Sequence, residues 1–374
     1  MRINAIICEF NPIHKGHLFL IQNARKICKE DELLIGIMSG NFLERGTPAV
    51  YDKYARARAA VYCGFDAVFE LPFPWSCAGA ESFGMAGVYL AASLGADRLF
   101  FGSESGDISL IEKAAFVKSH KKFHETSAEA EKRMRDKGSA AVFDEAMRQN
   151  GIEDLLFAND KLGCEYVRFG KKFGILDFVA VKRDASAKSA GELRKMIFSS
   201  SIASCKDHIP NRAYELFSNL IPLSEDKYND ILFNHCRLYV RENEKNELLR
   251  YAASIAAKTK NGEEFIKDLP TKKYTRARMR REILYSILGI AHGEISEPPG
   301  YTLLLACGKH GREYLSEVRK KVIFPIITKP ADFDRLNYNA VTQYKFLLSS
   351  DRLYALCAGE RADEYMKKHP FIID

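Results

Sequence analysis

What the chain lacks narrows it first. Its nine cysteines, at positions 8, 28, 63, 77, 164, 205, 236, 307 and 357, are odd in number and scattered, with no CxxC pair. That argues against a disulfide framework and a structural zinc site, so no metal ligands are assigned and a reduced, cytoplasmic setting is expected. No stretch approaches the roughly 18 unbroken apolar residues of a membrane span. The opening MRINAIICEFNP has one Arg and an apolar run that stops at Glu9, too short for a signal peptide. A soluble protein without membrane contact is the expectation. GxxxxGK[ST] and GxGxxG are both missing, which leaves no P-loop and no dinucleotide fingerprint. Repeats and low-complexity tracts are absent too. Acidic residues do not dominate: the formal charge is +7, which suits an acidic partner such as nucleic acid and also many ordinary enzymes.

What is present is enough apolar material for two domains: 374 residues, 47% of them hydrophobic. Short apolar runs at Ile3–Cys8, Leu33–Met38, Ala67–Leu71, Arg98–Phe101 and Leu176–Val181 alternate with helix-like segments at Gly16–Lys29, Lys53–Cys63 and Glu81–Leu94. The stretch Ser105–Gly174 is helical in pattern. Alternation of this kind predicts βαβ units and a parallel sheet covered on both faces. Ser189 with Glu192 three residues on reads as a capping box before a helix holding Leu193, Arg194 and Ile197. After about residue 205 helical patterns take over, at Arg212–Leu220, Glu225–Val240, Glu244–Ala256 and Thr275–Leu288. Tyr301–Ala306 fits a strand or a buried helix equally. The expected fold is α/β: a Rossmann-like parallel-sheet domain over residues 1–205, then a mostly α-helical domain over 206–374.

The most informative segment runs Glu9-Phe10-Asn11-Pro12-Ile13-His14-Lys15-Gly16-His17, between the first strand and the first helix. Ligands of open parallel sheets sit at the carboxyl ends of strands. A helix N-terminus there offers free N–H groups and a positive dipole end to an anion. Gly16 allows close backbone approach, and His14 and His17 can face one phosphate from a helix start. Nucleotidylyl transfer builds negative charge on phosphate oxygens and needs positioning and fixed donors rather than a covalent step. Imidazole N–H groups supply such donors, more strongly if protonated. Two histidines in a surface turn are the plain alternative. Zinc suits the spacing less well, because only two ligands are local.

Several blocks, in order, carry a more specific signal: Cys8 to His17; Met38-Ser39-Gly40-Asn41-Phe42-Leu43-Glu44-Arg45-Gly46-Thr47-Pro48-Ala49; Gly64 to Pro72; Phe101-Gly102-Ser103-Glu104; Asn159-Asp160-Lys161-Leu162-Gly163; Lys182-Arg183; and Lys273-Tyr274-Thr275-Arg276-Ala277-Arg278. Together they resemble the bacterial tRNA(Met) cytidine acetate ligase family of the HxGH nucleotidyltransferase superfamily, over most of the chain. The resemblance implies an enzyme that binds ATP, with Mg²⁺, and acetate. It would form acetyl-adenylate and pass the acetyl group to N4 of the wobble cytidine of elongator methionine tRNA. It also implies ATP contacts at Ile7, Cys8, Glu9, Phe10, Asn11, Pro12, His14, Gly16, His17, Leu20, Gly102, Asn159 and Arg183, with His14 and His17 catalytic. The chain departs from the family in three places. Glu44 stands where Gln is usual, Ala158 where Pro commonly precedes the Asn, and the stretch after Arg183 is short.

Physical sense favours some of these positions. Arg183 ends a predicted strand on the same sheet edge as the histidines and suits a phosphate; it can equally pair with Asp184. Gly102 can admit a nucleotide or only turn the chain, and Asn159 can bond a ribose or base edge or cap a helix. Arg45 follows the second strand, where it could meet acetate, phosphate or RNA, or pair with Glu44. Glu70 and Glu104 are possible Mg²⁺ ligands or salt-bridge partners. On the RNA side, Lys272, Lys273, Tyr274, Arg276, Arg278, Arg280 and Arg281 lie in a run without an acid, which suits phosphates and a stacked base; a solvated helix face is the alternative. Two other functions stay open: adenylyl transfer to a small metabolite, and RNA binding by an inert nucleotidyltransferase fold.

Overall fold

The computed structural model describes residues 2–153, 157–240, 244–291 and 297–373. Residues 154–156, within the helical stretch expected over 105–174, lie outside the described residues, as do 241–243 and 292–296. Five strands, β1 (Ile3–Cys8), β2 (Leu33–Ser39), β3 (Ala67–Leu71), β4 (Arg98–Ser103) and β5 (Asp177–Lys182), form a parallel sheet in the order β5-β4-β1-β2-β3. The apolar runs at residues 3–8, 33–39 and 67–71 are buried along their whole length. Each large aliphatic side chain so buried stabilises the fold by about 1.5–3 kcal/mol. β1 is hydrogen-bonded to β2 on one side and β4 on the other, so the strand order reverses there. An open parallel sheet has its ligand crevice at such a reversal.

The helices between the strands also fall where the pattern puts them: Lys15–Ile27, Lys53–Tyr62 and Ala80–Ser93. The stretch after β4 folds into four helices, Ile108–Lys118, Lys121–Arg133, Ser139–Gln149 and Ala158–Phe173. Beyond residue 206, helices occupy Asn211–Ser218, Asp226–Leu238, Glu247–Ala256, Gly262–Asp268 and Arg276–Leu288.

The sheet does not respect a division at residues 205 and 206. A strand from the C-terminal part, β6 (Thr302–Cys307), lies antiparallel beside β3, pairing Ala67 with Cys307 and Phe69 with Leu304. Two short strands, β7 (Ile326–Ile327) and β8 (Phe371–Ile372), pair in turn with β6. The apolar segment 301–306 is therefore a strand: β3 would otherwise be an open edge of a buried sheet, and β6 satisfies it. The C-terminal part is helical but contributes three strands to the common sheet.

A buried ion cluster ties the two parts together. Lys53 Nζ lies 3.0 and 2.9 Å from the two Glu70 oxygens and 2.7 Å from Asp351. Asp351 comes from the helix Tyr338–Ala358, which the sequence pattern does not foretell. Asn41 donates to Asp351 at 2.8 Å and to the Tyr365 hydroxyl at 2.5 Å. Glu70 is fully buried in this cluster, so it is not a magnesium ligand facing a substrate. Burial, with repulsion from Asp351, raises the Glu70 carboxyl to about 7. Removing the ammonium strands two buried carboxylates. Lys53→Met is expected to destabilise the protein by about 3–5 kcal/mol, read as a shift in the urea midpoint; a loss below about 1 kcal/mol would show that the cluster adds no more than a surface pair.

Candidate active site

The turn after β1 builds the site. Phe10 adopts φ +52°, in the left-handed region, and the Asn11–Pro12 peptide is cis. His14 then caps the helix Lys15–Ile27: its Nδ1 accepts from Gly16 N at 3.1 Å, and its carbonyl takes the first helical bond from Leu18 N at 2.9 Å. Gly16 is needed here because a Cβ would sit 2.9 Å from His14 Cε1. A side chain would push the imidazole off its cap. The His14 and His17 rings stack with centroids 3.7 Å apart, and Phe10 meets His17 edge-on at 5.0 Å. His17 Nδ1 is buried without a hydrogen-bond partner among the described residues. Lys15 is exposed.

These groups open onto a cavity of about 520 Å³ at the β1/β4 reversal. Of the positions implied for ATP, Ile7, Cys8, Glu9, Phe10, Asn11, His14, Gly16, His17, Leu20, Gly102, Asn159 and Arg183 line it. Pro12 does not; it is buried in the turn behind. Opposite the histidines, Ser103 donates to the buried Asp160 and accepts from Gly106 N at 2.7 Å, fastening the end of β4 to the helix Ala158–Phe173. That places Gly102 and Asn159 together. Asn159 donates to Glu104 through both its side chain, at 2.7 Å, and its backbone, at 3.1 Å. Arg183 lies 3.5 Å from Glu104, not paired with Asp184, and remains 44% exposed toward the cavity. Glu104 is thus an orienting partner of two cavity residues and does not itself line the wall.

Three cations that sequence reasoning did not single out as ATP contacts, Arg45, Lys182 and Arg194, also line the wall. Arg45 is exposed there and leaves Glu44 to Arg281. Arg194 donates to the Asn11 carbonyl at 2.8 Å from the helix Ala190–Ser199. The expected Ser189–Glu192 capping box starts that helix, and Ser189, Ala190 and Gly191 bring a second helix N-terminus to the cavity. The signal for Arg194 was its place just after this box.

Burial sets the electrostatics of the site. Burial, aided by the Arg183 guanidinium, lowers His14 to about 4. His17 is lowered well below its ordinary value by burial, by His14 and by Arg183. Both imidazoles are therefore neutral at pH 7, and a phosphate arriving beside them supplies the charge that favours protonation. Glu9 moves the other way. Burial and the neighbouring Glu44 raise it to about 7, although it accepts from Glu44 N at 2.8 Å.

The basic stretch divides in two. Lys272, Lys273, Arg276 and Arg278 are exposed. Tyr274 lies between Lys273 and Arg278, whose charges stand 5.1 and 5.2 Å from its ring. Arg280 turns inward, to Glu225 at 2.8 Å and Asn229 at 3.2 Å, and is buried. It is a structural arginine and is removed from the RNA-contact set, because the helix face that carries it packs on the helix Asp226–Leu238. Arg281 donates to the Glu44 carbonyl at 2.6 Å.

The chain is similar to known proteins over most of its length. Residues 1–369 match the HIGH Nucleotidyl Transferase family. The tRNA(Met) cytidine acetate ligase of Thermoanaerobacter sp. (strain X514) is 32% identical over 387 residues, covering 95% of this chain and 92% of that one. The protein of the same name from Kosmotoga olearia is 29% identical, covering 91% and 88%. The crystal structure of Thermotoga maritima TmcAL bound with alpha-thio ATP matches with a TM-score of 0.91 at 25% identity, both chains being covered in full.

The depressed His14 pKa has a consequence for stability. The unfolded imidazole takes its proton near pH 6.5, the folded one only near 4. Between those values the unfolded chain binds more protons, so stability is intact above pH 6.5 and falls with pH down to about 4, by on the order of 3 kcal/mol. His14→Asn keeps a capping acceptor and removes the titration. Urea melts at pH 7 and 4.5 should show a smaller loss in the variant; equal losses would contradict the buried, neutral imidazole.

Proposed function

We propose that this chain, which belongs to the tRNA(Met) cytidine acetate ligase family of HIGH nucleotidyl transferases, activates acetate with ATP and acetylates the wobble cytidine of elongator methionine tRNA. The observation that carries the reading is the stacked His14–His17 pair at a helix N-terminus, facing Arg183 across the crevice where the strand order reverses. That arrangement suits a triphosphate. Helix N–H groups and two imidazoles meet phosphate oxygens from one side and a guanidinium from the other.

In the first step an acetate oxygen attacks the α-phosphorus, the bond to the bridging oxygen breaks, and pyrophosphate leaves with that electron pair. His14 and His17 stabilise the charge that develops on the phosphate oxygens. Neutral and desolvated beforehand, they act as N–H donors whose proton affinity rises as that charge grows. In the second step the cytidine amine attacks the acetyl carbonyl, the mixed anhydride breaks, and AMP leaves. Glu9, with its carboxyl near 7, suits a group that takes up the amine's proton at neutral pH. Arg45, exposed on the rim, suits the acetate carboxylate.

Magnesium is expected with ATP. No group of three or more metal-ligating side chains occurs among the described residues. The ion would therefore be held chiefly by the nucleotide's phosphates and water, with at most a carboxylate such as Glu9 or Glu44 from the wall, and would neutralise phosphate charge there. No helix among the described residues is long and apolar enough to cross a membrane.

The test is incubation with ATP, Mg²⁺, labelled acetate and total tRNA. Label should enter RNA as acetylcytidine, dependent on ATP. His17→Ala should lower the rate at least 100-fold, the scale expected for removing one oxyanion donor, while its urea midpoint shows a folded protein. Undiminished labelling by the variant would end the role assigned to His17. Absence of label with the wild-type protein, despite ATP binding, would end the acetate reading.

A further inference from the structure

A second cavity lies beside the first, with a volume of about 490 Å³. Its wall carries the cations Lys273, Arg278 and Arg281 and the hydroxyl residues Ser82, Ser139, Thr275 and Tyr285. Among the described residues, neither Lys273 nor Arg278 has a carboxylate within ion-pair distance; each instead lies over the Tyr274 ring. Among the described residues Glu282 is the one carboxylate on the wall, and it accepts from Asn246 at 3.3 Å. The balance of the cavity is positive.

Three helices start at this place. Gly79 and Gly138 cap the helices Ala80–Ser93 and Ser139–Gln149 without any side-chain bond, and Thr275 caps Arg276–Leu288. The convergence is close: a Cβ on Gly79 would stand 3.8 Å from Arg281 Nη2, and one on Gly138 would stand 3.5 Å from the Lys273 carbonyl. Two helix N-termini without side-chain caps thus open at the cavity whose wall carries Lys273 and Arg278. The wall is built for an anion rich in oxygen acceptors.

The second cavity also adjoins the first along the chain. Gly79 lines one and Ala80 the other. Arg281, on the second wall, donates to the Glu44 carbonyl at 2.6 Å, and Glu44, on the first wall, donates its N–H to Glu9 at 2.8 Å. Through Gly79 and Ala80, and through Arg281 and Glu44, the wall that carries Lys273 and Arg278 is joined to the wall of the histidine cavity. Gly46, at φ +72°, holds the intervening loop against the helix Arg276–Leu288, where a Cβ would meet Arg280 Cβ at 2.9 Å. The two cavities are in fixed register.

We propose that this second cavity seats a backbone phosphate of the RNA next to the nucleotide whose base enters the histidine cavity, an assignment that rests on the RNA-acetylating reading above. A base can reach a reactive acyl group only if it is splayed out of its stack. A charged seat for the flanking phosphate holds the strand in that opened form, with Tyr274 beside it as a face for a neighbouring base. Lys273 and Arg278 are positioning residues: they fix the strand and do not touch the reacting atoms.

The experiment uses the full chain with a synthetic anticodon stem-loop of methionine tRNA. It compares wild type with the double variant Lys273→Ala/Arg278→Ala. The variant should raise the KM for RNA roughly tenfold and flatten its dependence on log salt by about one unit, with kcat little changed. A set of stem-loops each carrying one neutral methylphosphonate locates the seat. In wild type, one position beside the acceptor should weaken binding, and the double variant should lose nothing further there. An unmoved KM and salt slope, or equal losses from the methylphosphonate in both proteins, would overturn the seat. Acetate-dependent exchange of pyrophosphate into ATP needs no RNA and is read in the same preparations. Its absence from wild type would sink the adenylation reading itself, whereas exchange with an unmoved RNA KM sinks only the seat. Should the double variant melt early, Arg278→Gln, a single change at an exposed position, carries the same comparison.

Discussion

The carboxyl ends of β1 and β2 are held at one place by a single buried guanidinium. Arg56 donates to the carbonyls of Glu9 at 2.6 Å, Ser39 at 3.1 Å, Gly40 at 2.5 Å and Tyr51 at 2.9 Å. A buried arginine satisfied by carbonyl groups pays a desolvation cost, visible in its lowered proton affinity, and returns geometry. The three backbone segments that carry these four carbonyls cannot move apart without leaving acceptors unpaired. The turn that carries Phe10, Asn11 and His14 starts from one of these segments. The loop that carries Glu44 and Arg45 starts from another.

From that anchorage the site assembles with little freedom. Asn11 accepts from Val50 N at 2.8 Å through its side chain and from Arg194 through its carbonyl. The first turn is thereby tied both to the loop after β2 and to the helix after β5. The histidines thereby gain a firmly tied floor. Burial keeps both imidazoles neutral and raises the Glu9 carboxyl to about 7, where its two protonation states are balanced at neutral pH. Before substrate arrives, the pocket stores desolvation cost in groups that its ligands would satisfy, a common trade of stability for function. Glu44 is part of that trade. Its charge raises Glu9, and its carbonyl and carboxylate hold Arg281.

Much of this was legible in the chain. Alternating short apolar runs named all five parallel strands, because strands buried on both faces need nearly continuous hydrophobic residues. The HxGH turn was legible because its position after a strand and before an amphipathic helix restricts what it can be. Other features were not. The helix Tyr338–Ala358 buries Ala340, Leu347, Asp351 and Tyr354; its partners surround it, so no single apolar stripe marks it. β6 was ambiguous because a short apolar run lacks periodicity, and only the open edge of β3 decides it. Glu70 and Arg280 looked functional by charge. Their burial against Lys53 and Glu225 depends on residues distant in sequence, which no local pattern reports. Arg56 gave no local sign at all, since its partners are carbonyl groups.

The account turns on imidazoles that stay neutral until a phosphate reaches them. Protein labelled with ¹⁵N at histidine, with signals assigned by His14→Asn and His17→Asn, would be followed by NMR from pH 7.5 to 5. The ring nitrogens of both residues should keep the shifts of neutral imidazole at pH 5.5 in the free protein. Addition of a non-hydrolysable ATP analogue should move them toward the protonated or strongly hydrogen-bonded form. Ordinary titration of either ring near pH 6.5 without ligand, or rings unmoved by the analogue, would contradict the account.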